Sequence, residues 1–220
     1  MNIWFTSDTH FGHVNICRGA SNWMQRIANE GREPTKAEIA EFHRQTRDFK
    51  TVEGMNRAII DNINSCVKED DILYHLGDFA MGSHENIARF RNSLKCQTIH
   101  LILGNHDQHI VKKPEYQELF TSINTTLGWP DVKKSKIGGT RFLLCHFPML
   151  VWDKHMHGSI HLHGHSHGSL KNEQFYKRKV MDVGIDAHPE FRPFHIDEIK
   201  RIMDKRKIAV VDHHTSKTAQ

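Results

Sequence analysis

The chain has 220 residues, 38% hydrophobic and 25% charged, with Lys and Arg exceeding Asp and Glu by 30 − 26 = 4. That size and balance predict a domain with its own core and exclude wholesale disorder. No run approaches the ~18 apolar residues of a membrane helix, no basic signal segment opens the chain, and Cys17, Cys66, Cys96 and Cys145 lie too far apart for a zinc ribbon or a disulfide framework; a cytoplasmic protein with no membrane partner is expected.

Residues 2–7 form a short apolar run with aromatics, a first strand that ends in the polar turn 8–13. From 15 to 49 the chain is polar and broken at Gly31 and Pro34. Two helices are predicted there, 15–29 and 35–46, the second opened by Thr35 with Glu38 at capping-box spacing. Val52, Met55, Ile59, Ile60, Ile63 and Val67 recur at helical spacing and predict an amphipathic helix. Residues 71–76 read as a buried strand, 84–94 as a helix, and 98–103 as another strand. This alternation argues for an α/β layer architecture with partly parallel strands. Beyond residue 121, short β candidates follow at 122–127, 132–137, 140–146, 159–163 and 179–183. A helix at 197–207, a last strand at 208–211 and a polar end from 212 complete the chain.

Histidine is over-used, at 19 residues, and position gives that number meaning. Polar clusters sit just past strand ends: Asp8 and His10, then Asp78, then Asn105 and His106, then His146, then His165 and His167. Ligands in open α/β sheets bind outside the carboxyl ends of the strands. Asp8 and His10 are two apart, so extended backbone would point them to one side, and the same spacing joins His165 to His167. Gly77, Gly104 and Gly164 precede three of the clusters and allow sharp turns close to an ion. Oxygen donors (Asp8, Asp78, Asn105) mixed with imidazoles (His10, His146, His165, His167) suit Mn, Fe, Ni or Zn. Seven ligands exceed one ion and suffice for two if one carboxylate bridges. Each motif alone has a plain structural explanation, as a capped turn, a strand face or a satisfied core histidine. Their joint occurrence in this order does not.

The ordered set Asp8-Thr9-His10, Gly77-Asp78, Gly104-Asn105-His106-Asp107, His146 and Gly164-His165-Ser166-His167 closely resembles the calcineurin-like metallophosphoesterase superfamily. The likeness runs over about 3–186 and is nearest to a small bacterial and phage branch. It implies an α/β fold, a two-sheet β-sandwich flanked by helices. With no linker to split it, the chain is expected to be one domain over 1–212, with a helical insertion at about 18–46 and a polar tail at 213–220. The resemblance also implies two divalent metal ions. Asp8, His10, Asp78 and His167 would hold one; Asp78, Asn105, His146 and His165 would hold the other, with Asp78 shared. His106 would be the catalytic histidine and Asp107 its hydrogen-bonded orienter.

The implied activity is a metal-dependent phosphoesterase attacking phosphorus with a metal-bridged hydroxide. The small chain without a cap domain favours phosphodiesters of nucleotides or nucleic-acid ends, with manganese as the preferred ion. A phosphomonoesterase is the alternative, and a non-catalytic scaffold a weaker one. No helix shows a dense basic stripe with aromatics, so a sequence-specific nucleic-acid binder ranks last. His13, Asn105 and His106 are candidate substrate contacts. His161 and His163 read as a strand face. Lys154, His155 and His157, and Arg26, Arg32, Lys36 and Arg44 of the insertion, could meet phosphate, but a solvated loop and a solvated helical face explain them as well or better.

Overall fold

The computed structural model describes residues 1–127 and 140–208. In chain order these form β1 (Ile3–Thr6), α1 (Trp23–Asn29), α2 (Lys36–Gln45), α3 (Val52–Cys66), β2 (Ile72–His75), α4 (His84–Ser93) and β3 (Thr98–Ile102). Then come α5 (Gln108–Val111), α6 (Pro114–Gln117), β4 (Ser122–Asn124), β5 (Thr126–Leu127), β6 (Phe142–Cys145) and β7 (Ile160–His163). The last elements are α7 (Glu173–Tyr176), β8 (Val180–Asp182), β9 (Phe194–His195) and α8 (Ile196–Asp204). The expected strand at 132–137 and the tail from 212 lie outside the described residues, as does 208–211 apart from Ile208.

Two sheets stack. The first has the order β4-β3-β2-β1-β9, the second β5-β6-β7-β8. Strands β1 to β4 run parallel, and so do β6 to β8; β9 and β5 are antiparallel edges. Alternation along the strands explains the layers. Leu73, Ile99 and Leu101 face Met55, Ile59 and Ile63 of α3 and Ile87 and Phe90 of α4. Their neighbours Phe5, Tyr74 and Ile102 face the other way, onto Phe142, Leu144, Ile160 and Leu162 of the second sheet. Helix α3 starts where the Thr51 hydroxyl accepts from the Gly54 N–H. Burying Met55, Ile59 and Ile63 completely stabilises the helix by roughly 1.5–3 kcal/mol per side chain. The expected capping box of α2 is present: Thr35 and Glu38 satisfy each other's backbone N–H.

Some elements differ from expectation. The helix expected over 15–29 is a 3-10 turn at Val14–Ile16 and, separately, α1. The strand expected over 122–127 is two strands: β4 pairs with β3, and after Thr125 the chain crosses to the second sheet as β5. Strand β9 and the one-turn helices α5, α6 and α7 carry too few residues for a periodic signal.

Candidate metal centre

The polar loops after β1, β2, β3, β6 and β7 converge at the carboxyl edge of the two sheets. The ligand atoms of Asp8, His10 and His167 lie within 4.8 Å of one another, and those of Asp78, His146 and His165 do likewise. Asp78 Oδ2 stands between the groups, 3.5 Å from His10 Nε2 and 3.4 Å from His146 Nε2. Asn105 Oδ1 lies 3.1 Å from His146 Nε2 and 3.0 Å from His165 Nδ1. All the side chains singled out as ligands in the sequence therefore meet in one place.

The backbone brings them there by an unexpected route. Asp8, His10, Asp78, His165 and His167 all adopt left-handed φ, between 47° and 68°. Such a conformation costs a non-glycine residue about 1–3 kcal/mol and concentrates at functional sites. This corrects the argument from extended backbone. Asp8 and His10 share a cluster through left-handed turns, whereas His165 and His167 separate into different clusters.

The donor set fits two divalent cations. His10 Nε2 is buried without a hydrogen-bond partner, and it faces Asp8 Oδ1 at 3.9 Å and Asp78 Oδ2 at 3.5 Å. These gaps are too long for hydrogen bonds, and an orphaned buried nitrogen is costly. A cation among these atoms would satisfy all of them. The glycines leave the room required: a Cβ on Gly164 would stand 2.5 Å from Asp8 Oδ2, and one on Gly104 would overlap the Asp78 carboxylate. The oxygen and imidazole donors carry no thiolate, which suits Mn, Fe, Ni or Zn.

Electrostatics divides the two carboxylates. Burial pushes the Asp8 carboxyl up to about 6, against the opposing pull of His167 and His146. For Asp78, burial is outweighed by the hydrogen bond and charge of His146 and by His10, which hold it well below the usual carboxylate range. Burial, helped by His167, holds His10 neutral well below the usual imidazole range.

Residues around the clusters fix their geometry, and several carry no sequence motif. Asp186 accepts from His167 Nδ1 at 2.7 Å and takes both arms of the Arg47 fork, at 2.8 and 2.7 Å. Buried Arg47 also donates to the carbonyls of Asp8 and Thr9. Asp182 accepts from the Ser166 hydroxyl and from the Gly168 and Gly184 N–H groups, which shapes the loop carrying His165 and His167. Asp186 follows β8 as the other clusters follow their strands, so the strand-end rule could have found it. Arg47 offers no such signal.

Asp107 departs from its expected role. No hydrogen bond joins it to His106 among the described residues. Its buried carboxylate accepts instead from the backbone N–H groups of Asp78 at 2.7 Å, Phe79 at 2.9 Å and Gly104 at 2.8 Å. It acts as a tie between two loops. His106 is half-buried, and its backbone N–H donates to Asp78 Oδ1 at 2.9 Å. Its ring centre stands 5.4 Å from that of His10 and 5.9 Å from that of His13. His13 Nδ1 lies 3.3 Å from His10 Nδ1, and burial lowers the His13 imidazole to about 4, with His106 adding to the effect.

The remaining basic candidates separate by place. His161 and His163 lie fully buried on β7 with their ring nitrogens engaged by neighbours. His155 is buried in a turn, while Lys154 and His157 line a different cavity, shared with Lys179 and Lys200. Arg26 and Arg44 line the cavity beside the clusters, whereas Arg32 pairs with Glu30 and Glu38. Among the described residues no helix is long and apolar enough to cross a membrane.

The chain is similar to proteins of archaeal and phage origin. An uncharacterised protein of Methanocaldococcus jannaschii, MJ1445, is 28% identical over 210 residues, covering 94% of this chain and 93% of its own. The gene 66 protein of Mycobacterium phage L5 is 26% identical over 206 residues, covering 84% of this chain and 87% of its own. In fold, the chain matches the crystal structure of a protein of unknown function from Aquifex aeolicus with a TM-score of 0.56 and 22% identity, over 91% of this chain and 98% of that one. The model of the calcineurin-like phosphoesterases matches residues 1–213, and the chain belongs to that family.

Proposed function

We propose that this protein hydrolyses phosphate esters with two divalent ions, manganese by preference, and that it favours phosphodiesters of nucleotides or nucleic-acid ends. The observation that carries the reading is Asp78 Oδ2, set about equally far from a histidine of each cluster. Asp8, His10, Asp78 and His167 would hold one ion and Asp78, Asn105, His146 and His165 the other. When bound, such a pair lowers the pKa of water toward neutrality and stabilises charge on a phosphoryl group. In the overall reaction an oxygen from water forms a new bond to phosphorus, the ester P–O bond breaks, and a proton passes to the leaving oxygen. His106 is the residue proposed to supply that proton, since it borders the cavity from an anchored backbone. His13 and Asn105, on the same cavity, are proposed to contact substrate.

The cavity of about 490 Å³ beside the clusters supports the lean toward diesters, since it offers more volume than a phosphate alone fills. Residues 1–212 are taken as one domain bearing a helical insertion at about 18–46. Free thiols at Cys17, Cys66, Cys96 and Cys145 are in keeping with a cytoplasmic setting.

The test is hydrolysis by metal-stripped protein, with and without manganese, of the p-nitrophenyl diester and monoester of phosphate. Manganese-dependent cleavage with the diester preferred is expected. Preference for the monoester would shift the reading to a phosphatase. No turnover of either ester with two ions bound would overturn it.

A further inference from the structure

The helical segment between Arg18 and Thr46 leaves and rejoins the fold at one point. The Arg47 N–H donates to the Ile16 carbonyl at 2.6 Å, and the Arg18 N–H donates to the Arg47 carbonyl at 2.9 Å. Arg18 also reaches the His43 carbonyl and the Thr46 hydroxyl across the base. The closing residue is the same Arg47 that grips Asp186 and the Asp8 carbonyl. Helices α1 and α2 therefore stand on a base tied to the candidate metal centre.

They present three groups to its cavity that neither the metal set nor the hydrolysis requires. Trp23 is half-exposed and stacks on buried Phe42, with ring centres 4.9 Å apart and planes within 21°. Phe42 backs one face of the indole, and Trp23 borders the cavity with the part of the ring that remains exposed. Arg26, one turn along α1, is exposed and makes no ion pair among the described residues. Arg44 on α2 is also exposed, and among the described residues its one ion pair is with Glu41 of its own helix, a solvated contact of small worth. All of them line the cavity that also holds His10, Asp78, His106 and His167.

Resting on the phosphoesterase reading, we propose that Trp23, Arg26 and Arg44 form a substrate subsite. It takes a nucleotide whose base stacks on Trp23 and whose second phosphate, beyond the scissile one, meets the two guanidinium groups. A supported aromatic face with flanking arginines is the pairing that binds bases and backbone phosphates without reading sequence.

A series of three chromogenic diesters, each releasing 4-nitrophenolate, separates the parts. These are methyl 4-nitrophenyl phosphate, thymidine 5′-(4-nitrophenyl phosphate), and the same nucleoside ester with a 3′-phosphate. In the wild-type protein kcat/KM should rise by about 10-fold from the first to the second, in line with the usual worth of a base stack, and by about 10-fold again from the second to the third, in line with a charge-assisted phosphate contact. Trp23→Ala should abolish the first gain, and Trp23→Phe, which keeps a ring on Phe42, should retain most of it. Arg26→Ala with Arg44→Ala should abolish the second gain. Arg32→Ala, on the same segment but outside the cavity, should keep both. Equal kcat/KM across the series, or gains that survive these substitutions, would overturn the subsite.

If none of the three esters is hydrolysed, the activity reading fails and the subsite is still tested by binding. Calorimetric titration with adenosine 3′,5′-bisphosphate should show at least a 5-fold loss of affinity in the double arginine variant. Equal affinity in that variant and the wild type would overturn the proposal.

Discussion

The Asp186 carboxylate accepts from Nδ1 of His167 at 2.7 Å, leaving Nε2 of that ring turned toward Asp8 Oδ1 at 3.7 Å. One oxygen thereby fixes the tautomer of a candidate ligand. The same carboxylate neutralises Arg47, whose side chain is 4% exposed. Two consequences follow from one residue. Asp186→Ala should weaken metal binding by roughly 10- to 100-fold, as loss of a carboxylate behind a ligating histidine does. It should also cost about 3 kcal/mol of stability, because a buried guanidinium loses its counter-charge. Asp186→Asn should keep more of the stability than of the metal affinity. Metal titration and urea unfolding read the two effects separately. Wild-type affinity in the alanine variant would mean that His167 needs no orienting partner.

Asp107 and His106 are neighbours with opposite assignments. The Asp107 carboxylate is spent on three backbone N–H groups, and His106 stands at the edge of the cavity. Asp107→Asn leaves one acceptor oxygen and sets an amide NH2 against backbone donors. A loss of ~2–3 kcal/mol is expected, with metal binding lost as the loops separate. His106→Ala should leave stability and a content of two ions intact while lowering turnover roughly 10²- to 10⁴-fold. If Asp107→Asn kept full stability and lowered only turnover, the orienting role expected from the sequence would be restored.

Residues that meet in space were legible where chemistry repeats a local pattern. The ligand candidates each follow a strand, and the strand ends collect at one edge whatever the loops do. Apolar patterning also marked β1 and β2 as strands. It could not tell that residues 122–127 change sheets, because the pattern along a strand is the same whichever neighbour it pairs with. Nor could it give the left-handed turns, where glycine would be the ordinary choice and Asp or His is held against preference by its surroundings. Arg47 and Asp186 are separated by 139 positions, and nothing local marks them as partners.

Gly164 tests how closely the two sheets must approach. An added Cβ there would overlap the Ser7 hydroxyl and stand 2.5 Å from Asp8 Oδ2. Both His165 contacts to that carboxylate, at 3.1 and 3.0 Å, pass through the same space. Gly164→Ala should therefore displace Asp8, reduce metal content toward one ion per chain and lower the melting temperature. Two ions bound with wild-type affinity would show that the Asp8 loop tolerates a wider gap than the packing implies.

The last prediction concerns acid stability. Burial lowers the imidazoles of His75 and His161 to about 3 each, with the charge of His163 adding to the effect at His161. In the unfolded chain each returns toward about 6.5. Between these values the unfolded state holds more protons than the folded one, so stability falls as pH falls. The contribution is complete above about 6.5 and is lost progressively toward 3, at up to ~1.4 kcal/mol per pH unit for each group. His161 is the better probe. Its Nε2 accepts from the Met149 N–H at 3.0 Å and its Nδ1 lies 3.2 Å from the Leu143 carbonyl, a donor–acceptor pair that a glutamine amide can reproduce. Urea unfolding of the metal-stripped protein at pH 7, 6 and 5 should give a shallower loss for His161→Gln than for wild type, by about one proton's slope below pH 6. Taking the difference between the two proteins cancels the histidines remote from His161; the neighbouring His163, relieved of that repulsion in the variant, moves the difference in the same direction. Parallel curves would mean that His161 is already charged in the folded protein at pH 5, and that a buried partner among its neighbours carries the compensating charge.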